Sequence, residues 1–442
     1  QTTLVWVFNA YLLTCGGFLL LGGRLGDLYG HRHFFMVGIV LFTGASLACG
    51  LAGTQLTLVA ARAVQGIGGA IVDAVALALL MQLFTEANER AKAMGVYSFV
   101  CAGGGSIGVV LGGVLTDAYD WHWVFLVNLP IGAAVLGLSI ALLPGAGEER
   151  APVRLDVAGA VTVTVALMLA VYAIVGANDA GWTSAQTLAL LGAALALLAL
   201  FVAIEARVAA PLMPLGLFRS PTLNAANVIA VLWSAAMFAW FFLAALYLQR
   251  VLGYSAMQVG LAFLPSNLIM AACSLGLSAR IVVRFGVRWP LAGGLLCATL
   301  GLALFARAPV EGAFFVDVLP GMLLLGLGAG IAFNPLLIAA MSDVDESDSG
   351  LASGIVNTAF MMGGALGLAV LASVAATRTG ALPAGAPGAE IAALNAGYRL
   401  AFAVGALCAL GAAALAVLRM PVQAVSPAAR VANATTNSAG TR

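Results

Sequence analysis

Three residues within one apolar run have the types and spacing to handle charge inside a membrane. Arg62, Gln65 and Asp73 stand in the mostly apolar stretch 56–83. At about 100° per residue, the eleven or so steps from Arg62 to Asp73 return to nearly the same helix face, roughly 16 Å further along the axis. That distance is too long for a direct bond, and Gln65 and Gly69 lie near the same stripe. An Arg at the centre of a span costs about 2.5–3.5 kcal/mol on insertion scales, so it faces a partner or an aqueous cavity. Two readings of Arg62 stand: it lines a polar cavity, or it is an anchor bonded to carbonyls. Asp73 is either a proton-binding carboxylate or a residue at the cytoplasmic mouth of the cavity.

Other chemistry is poorly represented. The cysteines (Cys15, Cys49, Cys101, Cys273, Cys297, Cys408) all lie inside apolar runs with no CxxC spacing, which reads as buried thiols. His31, His33 and His122 form no HExxH-type pair. No metal, cofactor or nucleophile–base constellation is expected, so a membrane enzyme has little support.

The elements that position these residues follow from composition. The chain has 442 residues, of which 62% are hydrophobic and 8% charged, with a mean hydropathy of +1.06. Soluble domains carry roughly 25% charge, so this chain cannot cover a water-facing surface. A soluble enzyme, a nucleic-acid binder and a disordered scaffold are excluded, and the net charge of +1 gives no steering toward polyanions. Apolar runs of about 20 residues are helix-spanning length, not the short alternating strands of an outer-membrane barrel. The fold class is therefore an all-α polytopic membrane protein in contact with the lipid bilayer. Thirteen spans are expected, at 4–22, 34–53, 56–83, 93–116, 123–143, 155–175, 186–204, 222–248, 258–279, 289–306, 313–340, 351–376 and 398–418. The Ala/Ser/Asn/Thr-rich tail, 421–442, reads as disordered and cytoplasmic.

Basic residues set orientation. The loops that begin after the first span, taken alternately and with the tail, carry most of the Lys and Arg. The opposite loops hold Arg250, Arg307, Arg378 and Arg399. The positive-inside rule puts the first set and the C-terminus in the cytoplasm. An internal repeat adds detail. Arg24-Leu25-Gly26-Asp27-Leu28-Tyr29-Gly30-His31-Arg32 after the first span matches Arg280-Ile281-Val282-Val283-Arg284-Phe285-Gly286-Val287-Arg288 after the ninth, pairing Arg24 with Arg280, Gly30 with Gly286 and Arg32 with Arg288. Both copies are expected in short cytoplasmic loops, and parallel halves of this kind are a transporter signature. A full helix, 222–248, precedes the second copy, whereas the first has no such predecessor. One further helix is thus expected upstream, giving fourteen in two six-helix halves plus two intervening helices. The expected organisation is 1–145 as the N-terminal transport half (helices 2–6), 146–210 as two linking helices, and 211–420 as the C-terminal half (helices 9–14).

These stretches resemble the major facilitator superfamily, specifically its fourteen-helix drug:proton antiporter branch, over nearly the whole chain. Gly22 to Arg32 looks like the family's cytoplasmic gating loop between helices 2 and 3. Gly26 and Gly30 would permit a tight turn, and Asp27 and Arg32 would form ion pairs that break as the halves rock; a solvated topogenic loop is the alternative. Arg62 to Ala70 resembles the motif with an intramembrane Arg, although Asp73 has no counterpart in the family's usual pattern. Gly104, Gly108, Gly112 and Gly113 are similar to the antiporter motif of helix 5, with Val109 where the family has Pro. Their spacing would give a smooth face for close packing that prevents proton leak. The stretch Trp121 to Gly132 resembles the entry to helix 6, with His122 in place of the usual Arg. A weaker likeness covers Gly350 to Thr358, and the acidic run 343–348 before it is either a second gate pairing with Arg280, Arg284 or Arg288, or a solvated charge run.

The resemblance implies proton-coupled efflux of small amphipathic compounds, drugs or antibiotics, across the bacterial inner membrane. The protein would act as a monomer by alternating access, with a proton gradient as its energy source and no cofactor. Candidates for the substrate cavity are Asn9, Tyr11, Asn227, Trp240, Phe242, Asn267, Asn334, Asn357 and Met361, because adaptable Met and aromatic surfaces suit polyspecific sites and unpaired amides are costly in lipid. A proton-coupled importer of the same fold and a non-transporting sensor or scaffold are the alternatives.

Overall fold

Hydropathy alone decides most of the architecture. The computed structural model describes residues 2–84, 110–143, 156–208, 215–342, 349–381 and 388–421, with isolated positions 93, 100, 104, 108 and 211. Among these residues there are helices and no strand. In chain order they are α1 (Thr2–Tyr29), α2 (His31–Gly50), α3 (Gln55–Leu83), a helical segment 110–118, α4 (Trp123–Leu126), α5 (Asn128–Leu142), α6 (Val157–Ala180) and α7 (Ala185–Glu205). Then come α8 (Pro221–Leu246), α9 (Ala256–Ala272), α10 (Ser278–Phe285), α11 (Arg288–Phe305), α12 (Leu319–Met341), α13 (Ser349–Gly380) and α14 (Ala389–Arg419). Among the described residues, ten helices are long and apolar enough to cross a membrane, and Val5–Leu19 and Ala256–Ala272 are shorter apolar helices. The expected span 93–116 lies mostly outside the described residues, as do the acidic run 343–348 and the tail beyond 421.

Helix starts follow ordinary capping chemistry. Thr54 with Thr57, and Ser255 with Gln258, form capping boxes. Asp156, Ser184 and Ser220 each accept a first-turn N–H, and Pro221 stands at the start of α8. Tight helix contacts form where glycine removes a side chain. A Cβ on Gly328 would lie 2.6 Å from the Gly294 carbonyl oxygen between α11 and α12. In lipid, where burial gives helices little drive to associate, such close backbone approach supplies much of the packing energy.

The helices group into two blocks. In one, α1 packs on α3, α3 on α2, and α2 on α5. In the other, α8 packs on α13 and α14, α11 on α12 and α14, and α9 on α12. The connecting helix α6 packs against both α1 and α13 as well as against α7.

The repeat takes a different form from the expected loops. α1 continues through Arg24 and Asp27 to Tyr29, and α10 runs from Ser278 to Phe285. Each helix then breaks at a glycine with positive φ, Gly30 at +91° and Gly286 at +76°. The next helix restarts at His31 and at Arg288. A conformation that side chains rarely adopt makes the break sharp, so the turn is nearly a single residue at Gly30.

Candidate functional site

Arg62 is the centre of a polar seam joining three helices. It is half-buried on α3. Its Nε donates to the Val7 carbonyl of α1 at 3.0 Å and its Nη1 to Gln65 Oε1 at 2.6 Å. Gln65, only 1% exposed, donates through Nε2 to Ser46 Oγ on α2 at 2.6 Å. The Cys49 thiol, also on α2, donates to Gln65 Oε1 at 3.9 Å. The guanidinium lies 4.3 Å above the Tyr11 ring and 5.7 Å from the Phe125 ring of α4. A backbone carbonyl, an amide oxygen and two aromatic faces thus surround a charge that would otherwise be expensive in a membrane. Of the two readings of Arg62, the geometry is that of the anchor bonded to a carbonyl.

Glycines let the seam close. A Cβ on Gly66 would lie 2.5 Å from the Tyr11 carbonyl oxygen, and one on Gly69 2.8 Å from the Tyr11 hydroxyl. Asp73 lies further along the same helix and is exposed, with no hydrogen-bond or ion-pair partner among the described residues. Tyr11 and Cys15 of α1 lie within electrostatic reach of both Arg62 and Asp73.

The cavity candidates divide. Asn9 is 0% exposed, and neither atom of its amide has a hydrogen-bond partner among the described residues. Asn267 on α9 is buried with its Nδ2 unpartnered. Asn227 instead donates to the Leu223 carbonyl on its own helix. Asn334 and Asn357 are half-buried. Met361 packs against the backbone of Gly16, so α1 and α13 meet there. Trp240 belongs to the apolar core of the second block, within ring contact of Phe241, Phe263 and Phe305. Phe242, 7% exposed, lies 5.6 Å from Phe8 of α1. Sequence cannot separate these aromatics from core, because core and cavity use the same residue types.

Two of the gate candidates bond to helix ends. Arg32 donates to the Ile140 carbonyl at the end of α5 at 2.9 Å, and Arg288 to the Met420 carbonyl at the end of α14 at 2.7 Å. Each Arg of the repeat therefore ties its turn to the last helix of its own block, where unsatisfied carbonyls and the helix dipole favour a cation. The ion pairing expected of Asp27 and Arg32 involves a side chain outside the description. The side chains of Arg24 and Asp27 lie outside the description. Gly26 packs against Val75 and His31, whose Nδ1 is 3.1 Å from Gln82 Nε2. Arg284 sits over the Phe285 ring, and Arg280 is exposed. The partners proposed for these two, in 343–348, are outside the described residues.

Most residues around the antiporter-motif glycines lie outside the described residues. Among the described residues no atom lies within 4 Å of a Cβ built on Gly104 or Gly108, and for Gly112 the nearest is Val124 at 4.0 Å. Gly113 alone is tightly packed, with its Cβ position 2.7 Å from the Ala256 carbonyl oxygen of α9. Among the described residues there is no cluster of His, Cys, Asp or Glu suited to a metal.

Comparisons with known proteins agree with this architecture. The profile of the Major Facilitator Superfamily matches residues 1–368. The chain is 38% identical over 414 residues to the puromycin resistance protein of Streptomyces alboniger, covering 92% of this chain and 82% of that one. It is 40% identical over 388 residues to the cephamycin export protein of Amycolatopsis lactamdurans, covering 86% and 79%. The lincomycin resistance protein of Streptomyces lincolnensis is 36% identical over 377 residues, covering 84% and 76%.

Proposed function

The chain belongs to the major facilitator superfamily, and from that premise we propose that it exports small amphipathic antibiotics across the cytoplasmic membrane in exchange for protons. The observation that carries export is the likeness, over most of both chains, to proteins named for antibiotic resistance and export. Proton exchange rests on Asp73, an exposed carboxyl on a helix that crosses the membrane. Arg62 and Gln65 hold α1, α2 and α3 together further along the same helix. The amide of Asn9 and the Nδ2 of Asn267, without partners among the described residues, are the groups best able to bond a substrate or water, because an orphan buried polar group costs on the order of 1–3 kcal/mol. The protein works as a monomer, with 1–145 and 211–420 rocking about the cavity, 146–210 linking them and the C-terminus in the cytoplasm.

Among the described residues, packed contacts join the blocks at the outer end and near the middle. Phe8 on Phe242 and Gly113 on Ala256 lie toward the end opposite the basic loops, and Gly16 on Met361 lies near mid-membrane. Susceptible cells with and without the full chain should differ several-fold in the puromycin, cephamycin or lincomycin concentration that stops growth. Everted vesicles should accumulate the same compound only while a proton gradient is present. Uptake into right-side-out vesicles driven by an inward proton gradient would instead favour the importer.

A further inference from the structure

We propose that Asp117 is the outer latch of the transport cycle, a carboxylate in the first block that closes over the start of α9 in the second. The inference rests on the export reading and on the orientation set by the basic loops. Asp117 ends the helical segment 110–118, about one turn beyond Gly113 on the same face. Its Oδ2 accepts from Ser255 Oγ at 2.8 Å and from the Met257 backbone N–H at 3.1 Å.

The surrounding chemistry leaves this position for it. The first N–H groups of a helix have no partner within the helix. Ser255 Oγ takes the Gln258 N–H, and Gln258 Oε1 takes the Ser255 N–H. The Ala256 and Met257 N–H groups are left by this box, and the opposite block supplies the acceptor for Met257. A carboxylate is also favoured at the positive end of a helix. One turn earlier the blocks approach so closely that Gly113 has no room for a side chain, its Cβ position being 3.1 Å from Met257 Cα. The close approach and the two hydrogen bonds therefore act at one point. The bonds are exposed, so water replaces them at small cost when the blocks part. A contact that must break in every cycle needs that property. Substrate bound from the cytoplasm leaves outward only after this contact opens.

The test places a single cysteine at Phe242→Cys, in a chain otherwise free of cysteine, and labels it from outside intact cells with a membrane-impermeant maleimide. Phe242 is buried against Phe8 of the first block and gains exposure when the outer end parts. Asp117→Ala should raise the labelling rate several-fold and change export, while the amount of protein in the membrane stays the same. Asp117→Asn keeps an acceptor for both donors and should stay within about twofold of the native rate. Equal labelling in Asp117→Ala and in the native chain overturns the latch. Asp117→Cys alone checks orientation: labelling only in everted vesicles overturns the orientation, and with it the latch as an outer one.

Discussion

The two helix blocks share a scaffold and differ in what they bury. In each, a helix breaks at a left-handed glycine (Gly30 or Gly286), and an Arg two residues on binds the last helix of the block. The following helix pair is α2 and α3 in one block and α11 and α12 in the other. There the likeness ends. α3 carries Arg62, Gln65 and Asp73, whereas α12 has no charged residue and Asn334 as its one amide. Around α12 the core is built from Trp233, Trp240, Phe305 and Phe402. One block is thus equipped for charge, and the other presents an apolar wall with isolated amides. The repeat maintains geometry, and the chemistry has been placed on one side of it.

The largest effect should come from the polar seam. Arg62→Ala removes the tie to the Val7 carbonyl of α1 and breaks the link through Gln65 to Ser46. Export should fall to the level of cells lacking the protein. Arg62→Lys should fail nearly as badly, because a point charge cannot reproduce a planar fork lying on the Tyr11 ring. Asn334→Ala, at the corresponding helix of the other block, should cost less than about fivefold in efflux rate. Equal losses in the two blocks would remove the asymmetry.

A smaller effect is expected at the shared scaffold. Replacing Arg32 or Arg288 with Ala should lower the stability of the purified protein by roughly 0.3–1 kcal/mol, the usual range for a cation at a helix C-terminus. Arg288 should matter more, because its bond is part-buried and that of Arg32 is exposed. A large loss at one position with none at the other would show that the repeat is not mechanically equivalent.

The smallest effect lies at the outer turn of the first block. Asp120 accepts from the His122 backbone N–H at 2.8 Å and contacts the ring Nδ1 at 2.9 Å. The backbone bond, with the His122 side chain, holds its carboxyl below the usual carboxylate range. A lowered pKa means the turn is favoured fully above about pH 3.9 and loosens only as pH falls below that. Protease clipping of residues 118–122 should therefore be flat between about pH 5 and 8, and Asp120→Asn should change it by less than twofold. A step in that interval would implicate a different group.

The parts legible in the sequence are those fixed by hydropathy and by glycine. Spans such as 34–53 and 186–204 appear as α2 and α7 within a few residues, because about 20 apolar residues have few alternatives to a membrane helix. The tight turn at Gly30 was legible too, yet the continuation of α1 to Tyr29 was not, since charge at a helix end looks like a loop. The partners of Arg62 depend on tertiary packing that spacing along α3 does not reveal. Trp240 and Phe242 fit a cavity as well as a core, and only contacts with Phe263 and Phe8 distinguish them. Asp117 closes the stretch that resembles the antiporter motif, and its place one turn after Gly113 was a usable signal.

The most direct test of proton exchange uses everted membrane vesicles acidified by respiration and loaded with a fluorescent pH-gradient dye. Adding whichever of puromycin, cephamycin or lincomycin the full chain exports should release the dye's quenching, as protons leave in exchange. Vesicles with Asp73→Asn, at equal protein amount, should show no release. Release of the same size from Asp73→Asn would contradict the role given to that carboxyl, and none from the native protein during active export would contradict proton exchange itself.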